Sequence, residues 1–131
     1  ALKRVDDAEQ VMKDAVRDFP EDVTAKLSYI EFLSSTRSVE RAIEELKSMI
    51  AASPTENRLK FALGKVYEAT NKLDEAAKVY EDVVASVKEG PELLQGKSRL
   101  AVVKARKNDL EGARKLVDEV LTDNPRDGDA L

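Results

Sequence analysis

Ala42-Ile43-Glu44-Glu45-Leu46-Lys47-Ser48-Met49-Ile50 decides the fold, because the same pattern returns 34 residues later as Ala76-Ala77-Lys78-Val79-Tyr80-Glu81-Asp82-Val83-Val84. A small residue is followed four positions on by a large apolar one, and a further apolar residue completes the stripe. Ala8–Met12–Val16 precedes the pair by another 34 residues, and Ala113–Val117–Leu121 follows Ala76 by 37. Prolines punctuate the array at Pro20, Pro54, Pro91 and Pro125. The spacing within each segment is that of one helix face. A period near 34 residues in a helical sequence means stacked helix pairs, each too small to bury its own apolar face.

Working outward, the apolar periodicity predicts seven helices. Residues 2–18 form the first, with Val5, Ala8, Val11, Met12, Ala15 and Val16 on one side. Asp22 is placed to cap a second over 23–35, carrying Leu27, Tyr29, Ile30 and Leu33, and Ser38 a third to Ala52. Ser53-Pro54-Thr55-Glu56 reads as a capping box opening a fourth helix that runs to Thr70. Asn71, and Asn108 at the same point of the next repeat, are suited to the left-handed turn that ends a helix. Helices over 73–88, 91–107 and 109–123 complete the set, and Arg126–Leu131 reads as the opening of an eighth. The three extra residues between Ala76 and Ala113 are nearly one turn, so the fifth or sixth helix is expected to be longer, with the break at Gly90-Pro91. The acid-before-base pairs Glu9/Lys13, Glu68/Lys72 and Glu111/Lys115 read as solvated helix faces.

Composition fits one helical domain. The 131 residues are 42% hydrophobic and 37% charged, with five glycines and four prolines. No apolar run approaches the ~20 residues that span a bilayer, so no direct membrane insertion is expected. No signal peptide is legible, and the compartment is open between cytoplasm and cell envelope. The chain starts at Ala1 without methionine, which reads as processing or excision from a larger protein. The net charge of −4 and pI near 5.0 oppose nucleic-acid binding, where neutralising phosphates supplies the affinity.

The residues hold little chemistry. Histidine, cysteine and tryptophan are absent, which removes imidazole acid–base catalysis, thiolate nucleophiles and the usual zinc sites. The adjacent acids Asp6/Asp7, Glu44/Glu45, Glu81/Asp82 and Asp118/Glu119 point about 100° apart on a helix and do not converge. Asp123-x-Pro125-x-Asp127-Gly128 has proline where a calcium loop needs an oxygen ligand. No Gly-rich phosphate loop is present. No cofactor and no enzymatic activity are expected.

The chain resembles the tetratricopeptide repeat family. Its best unit has Leu63-Gly64, Tyr67, Ala76, Tyr80 and Val83 in the family's order. The unit 23–56 keeps Leu33, Ala42, Leu46 and Pro54 but has Tyr29-Ile30 for Leu-Gly. The unit 94–127 keeps Leu100-Ala101, Ala113, Val117 and Asn124-Pro125, with Lys104 where the family has tyrosine. Lys26, Lys60 and Lys97 stand where the family has tryptophan. The resemblance implies an all-α superhelix, a solenoid of about seven antiparallel helices in a single domain: 2–22 as the second helix of a partial repeat, 23–56, 57–93 and 94–127 as full repeats, and 128–131 as the start of a truncated one. The 123–127 junction is similar in style to bacterial arrays. No capping unit is evident, so both terminal helices should expose apolar stripes and offer surfaces for self-association.

The resemblance further implies a non-enzymatic protein-interaction scaffold, probably part of a larger repeat protein, or a structural middle segment of a longer solenoid without its own ligand. In this family the first helix of each pair lines a concave groove. Here those positions are Thr24, Ser28 and Glu31, then Arg58, Phe61, Ala62, Lys65 and Glu68, then Gln95, Ser98, Arg99, Val102 and Arg106. Their basic members outnumber the acidic ones on an acidic chain, so the implied partner is an acidic protein or peptide, with Phe61 as an exposed apolar anchor. The family's chaperone-tail clamp is not implied: only Arg99 matches it, and Leu27, Glu31, Ala62 and Gln95 replace its other members.

Overall fold

The structure, a computed structural model, describes residues 2–123. Seven helices follow one another, α1 (Leu2–Asp18), α2 (Val23–Thr36), α3 (Val39–Ala52), α4 (Asn57–Ala69), α5 (Leu73–Ser86), α6 (Pro91–Arg106) and α7 (Leu110–Asp123), and the described residues contain no strand. The expected eighth helix and the 123–127 acidic junction lie outside the described residues. The chain divides into two compact units, residues 1–62 and 63–131, and the boundary falls inside α4.

In the first unit α2 packs on both α1 and α3. Asp22 caps α2 by accepting from the Ala25 N–H at 3.0 Å, and Ser38 caps α3 by accepting from the Arg41 N–H at 3.1 Å. Ala42 and Leu46 are fully buried, with Tyr29, Ile30 and Leu33 beside them in the core. Truncating Leu46 to Ala would cost about 2–5 kcal/mol.

The start of α4 differs from the sequence expectation. Ser53 closes α3, its N–H donating to Met49 and Ile50 carbonyls, and α4 begins at Asn57. Pro54 and Thr55 form a turn between them. The capping box does not form, because Glu56 turns toward Arg58: its carboxylate accepts from the Arg58 guanidinium at 3.0 and 3.2 Å.

In the second unit α6 packs on α5 and α7 on α6. Gly64 is where α4 meets α5: a Cβ there would lie 2.5 Å from the Tyr80 ring, which is itself fully buried. Asn71 and Asn108 have φ of 60° and 69°. At each, two backbone bonds close the helix end, Lys72 N–H to Tyr67 O at 2.7 Å and Asn71 N–H to Glu68 O at 3.1 Å, then Asp109 to Lys104 at 2.7 Å and Asn108 to Ala105 at 3.0 Å. This paired closure satisfies carbonyls that the helix leaves open. The extra residues lengthen α6, which has 16 residues where α4 has 13. Gly90, at φ 105°, supplies the turn into it and Pro91 opens its first turn.

Candidate partner-binding surfaces

The expected groove residues separate into different environments. In the first unit Thr24, Ser28 and Glu31 are exposed along α2. Arg58 is exposed and ion-paired to Glu56 at 3.0 Å. Phe61 is 5% exposed, so it belongs to the core and is no open anchor. Its ring follows the apolar side of α4 with Leu59 and Leu63, which the three-four spacing also permits.

In the second unit the positions on α4 and α6 split again. Glu68 accepts from the Tyr80 hydroxyl at 2.5 Å and pairs with Arg106 at 3.4 Å. Arg106 also donates to the Glu68 backbone carbonyl at 3.2 Å, in the last turn of α4. Its side chain therefore ties the end of α6 to the end of α4. Burial, reinforced by the Glu68 bond and charge, pushes the Tyr80 phenol well above its ordinary range. Lys65 is exposed, Gln95 is exposed and Arg99 is half-buried. Among the described residues neither Lys65 nor Arg99 forms an ion pair. Arg99 lies close enough to Tyr80 for its charge to favour the phenolate, against the larger effect of burial.

Ser98 and Val102 take a third position. With Ala101 and Ala105 of α6 and Ala113, Val117, Val120 and Leu121 of α7 they line an apolar trough of about 320 Å³. Val102, Val117 and Leu121 are 46%, 46% and 66% exposed. The pattern Ala113–Val117–Leu121 gives this surface in the sequence, since its counterparts are core elsewhere.

A buried ionic cluster escaped the sequence reading. Glu9, expected on a solvated face with Lys13, is 6% exposed. Its carboxylate meets Arg41 at 2.7 Å, Arg37 at 2.8 Å and Lys13 at 3.3 Å, and Arg37 also pairs with Asp6. Hydrogen bonding from Arg41, against desolvation and with Arg37 and Lys13 adding to it, holds the Glu9 carboxyl down at about 2. Three cations on one carboxylate bind α1 to the α2–α3 corner. The cluster stabilises the fold and leaves Glu9 no free oxygen for acid–base work. Neighbouring Tyr29 has a buried hydroxyl with no hydrogen-bond partner among the described residues. Burial, then the charges of Glu45 and Glu9, raises its pKa. Among the described residues no group of three or more acidic side chains is arranged to hold a metal ion, and no helix is long and apolar enough to cross a membrane.

A tetratricopeptide repeat family model matches residues 35–100, half of the chain, and a second model of the same repeat matches residues 1–57. The chain belongs to the tetratricopeptide repeat family. Solved structures similar to it include the "MamA RS-1 ArsTM double mutant", at a TM-score of 0.70 and 20% identity over 99% of this chain and 71% of that one. "MamA 41-end from Desulfovibrio magneticus RS-1" aligns at 0.68 and 20% identity over 92% and 67%, and "Crystal structure of MamA" at 0.66 and 17% over 92% and 69%. At such identities the likeness concerns the fold: an all-α solenoid of tetratricopeptide repeats. No curated protein matches in sequence. The family is in general a non-catalytic protein-interaction fold, and this member is a helical interaction scaffold of that kind.

Proposed function

We propose that the chain binds an acidic protein or peptide segment on the α4/α6 face of its second unit. Arg99 and Lys65 receive carboxylates there, and Gln95 supplies hydrogen bonds. The observation that carries this reading is the division among the four expected cations: Arg58 and Arg106 are each held by a carboxylate of the chain itself, whereas Arg99 and Lys65 are not. A half-buried guanidinium is already partly desolvated and orders few rotamers on binding, which favours a bidentate carboxylate contact. Thr24, Ser28 and Glu31 extend the interacting surface along α2 in this reading, and Phe61 acts from the core by fixing α4. Affinity is expected near micromolar, about −8 kcal/mol.

Selection of a random peptide library on the chain tests this. Acidic sequences should be enriched on the wild type and lost on the double variant Lys65→Glu/Arg99→Glu. Enrichment without acidic residues, or equal recovery on both proteins, overturns the proposal.

A further inference from the structure

The repeat supplies its own control for what is uncovered. Ala42 and Ala76 are fully buried, and so are Leu46 and Tyr80 four residues on. At the equivalent places in α7, Ala113 is 8% exposed but Val117 is 46% and Leu121 66% exposed. The face of α5 that corresponds to the trough is covered by α6, whose Gly96 brings it within contact of Val83 and Val84. At the other end, Ala8 of α1 is only half-buried and Val11 is 67% exposed. Among the described residues α1 packs on α2 alone. Its flank of Ala8, Val11 and Ala15, with Phe19 65% exposed just beyond, is a small-residue surface that lets another helix approach closely.

A recurring ion pair fixes the direction in which a covering helix lies. Arg37, at the end of α2, reaches Asp6 near the start of α1. Lys107, at the end of α6, reaches Asp74 at the start of α5 at 2.5 Å. Asp6 and Asp74 are two periods of 34 apart, and the next acid in register, 37 residues on, is Glu111 at the start of α7. Glu111 is exposed and, among the described residues, forms no ion pair. A helix covering the trough should therefore end in a cation over Glu111. α1 carries Arg17 in its last turn.

We propose that two copies of this chain associate head to tail, the Ala8–Val11–Ala15 flank of α1 in one copy packing into the α6/α7 trough of the other with Arg17 against Glu111. Val11 fills the space between Ala105, Ala113 and Val117, and burial of both faces drives the association. The contact is heterologous, so each copy keeps one free head and one free tail and can add further copies. The surface is separate from the Arg99 face, so this proposal stands or falls independently of the acidic-partner reading.

Sedimentation velocity on the 131-residue chain and two variants tests it. Val11→Asp and Leu121→Asp alter exposed side chains, and circular dichroism confirms that each stays helical. The wild type should show concentration-dependent species heavier than the 14.5 kDa chain. Each variant alone should be monomeric. An equimolar mixture should stop at a one-to-one dimer, because only the tail of Val11→Asp and the head of Leu121→Asp remain intact. Restored association in the mixture of Arg17→Glu with Glu111→Arg proteins supports the register. A monomeric wild type, a Val11→Asp protein that assembles like wild type, or a mixture that stays monomeric overturns the proposal. Loss in Leu121→Asp alone would indicate trough-to-trough pairing and overturns it as well.

Discussion

The Tyr80 hydroxyl donates to Glu68 at 2.5 Å while its ring occupies the space that a side chain at Gly64 would need. One residue thus closes the α4–α5 contact twice, by shape and by a charge-assisted bond. Gly64→Ala must push a fully buried ring. We expect a net loss of about 1–3 kcal/mol in urea unfolding, despite the better helix propensity of alanine. Gly96→Ala meets only a Val84 methyl at 3.1 Å, and the propensity gain of about 1 kcal/mol should leave it near neutral.

The two buried tyrosines should respond in opposite ways to loss of the hydroxyl. Tyr80→Phe leaves Glu68 short of a donor and should cost about 1.5–3 kcal/mol. Tyr29→Phe removes a buried group that has no partner and should be neutral or stabilising. Thermal unfolding of the two single variants checks the contrast. An equal loss in both would contradict the assigned hydrogen bonding.

Acid sensitivity should centre on Glu9. Its folded pKa, about 2, lies below the ordinary 4.5. A depressed carboxyl contributes stability that is complete above the unfolded value and is lost as pH falls through the folded one. The stability difference between wild type and Glu9→Gln should therefore be largest at neutral pH, shrink below about pH 4.5 and approach its minimum near pH 2. A difference independent of pH over that window would show that the charge is not what Arg41 and Arg37 hold.

Asn71→Ala and Asn108→Ala should each lose about 1 kcal/mol, since alanine resists the left-handed conformation, and the glycine variants should match or exceed wild type. Arg37 occupies the equivalent place in the first repeat with φ −115°. Arg37→Gly should give no such benefit and should instead release the Glu9 cluster. Chemical denaturation of the set measures all three.

These elements show what local sequence carries. Asp22, Ser38, Asn71 and Asn108 act through backbone within a few residues, so each helix end they set was readable. The capping box at Ser53 failed because Arg58 competes for Glu56 within the same turn, an alternative that the motif does not encode. Helix spacing placed Phe61 on a plausible outer face, but that face is decided by packing from other elements. The Glu9 cluster depends on residues 28 and 32 positions away, and an adjacent Lys13 disguised it as a surface pair. The division of cations in the candidate site was hidden for the same reason: Arg106 finds Glu68 across 38 residues.

The central functional claim is that Arg99 and Lys65, and not the cations already held within the chain, meet the partner's carboxylates. Fluorescence anisotropy of a labelled hexaglutamate peptide titrated with wild type, Arg99→Gln, Lys65→Gln and Arg58→Gln proteins tests it most directly. The account predicts saturable binding by wild type that weakens with added salt, a loss of about tenfold (about 1.4 kcal/mol) for Arg99→Gln, a smaller loss for Lys65→Gln and none for Arg58→Gln. Binding by Arg99→Gln equal to wild type would contradict it.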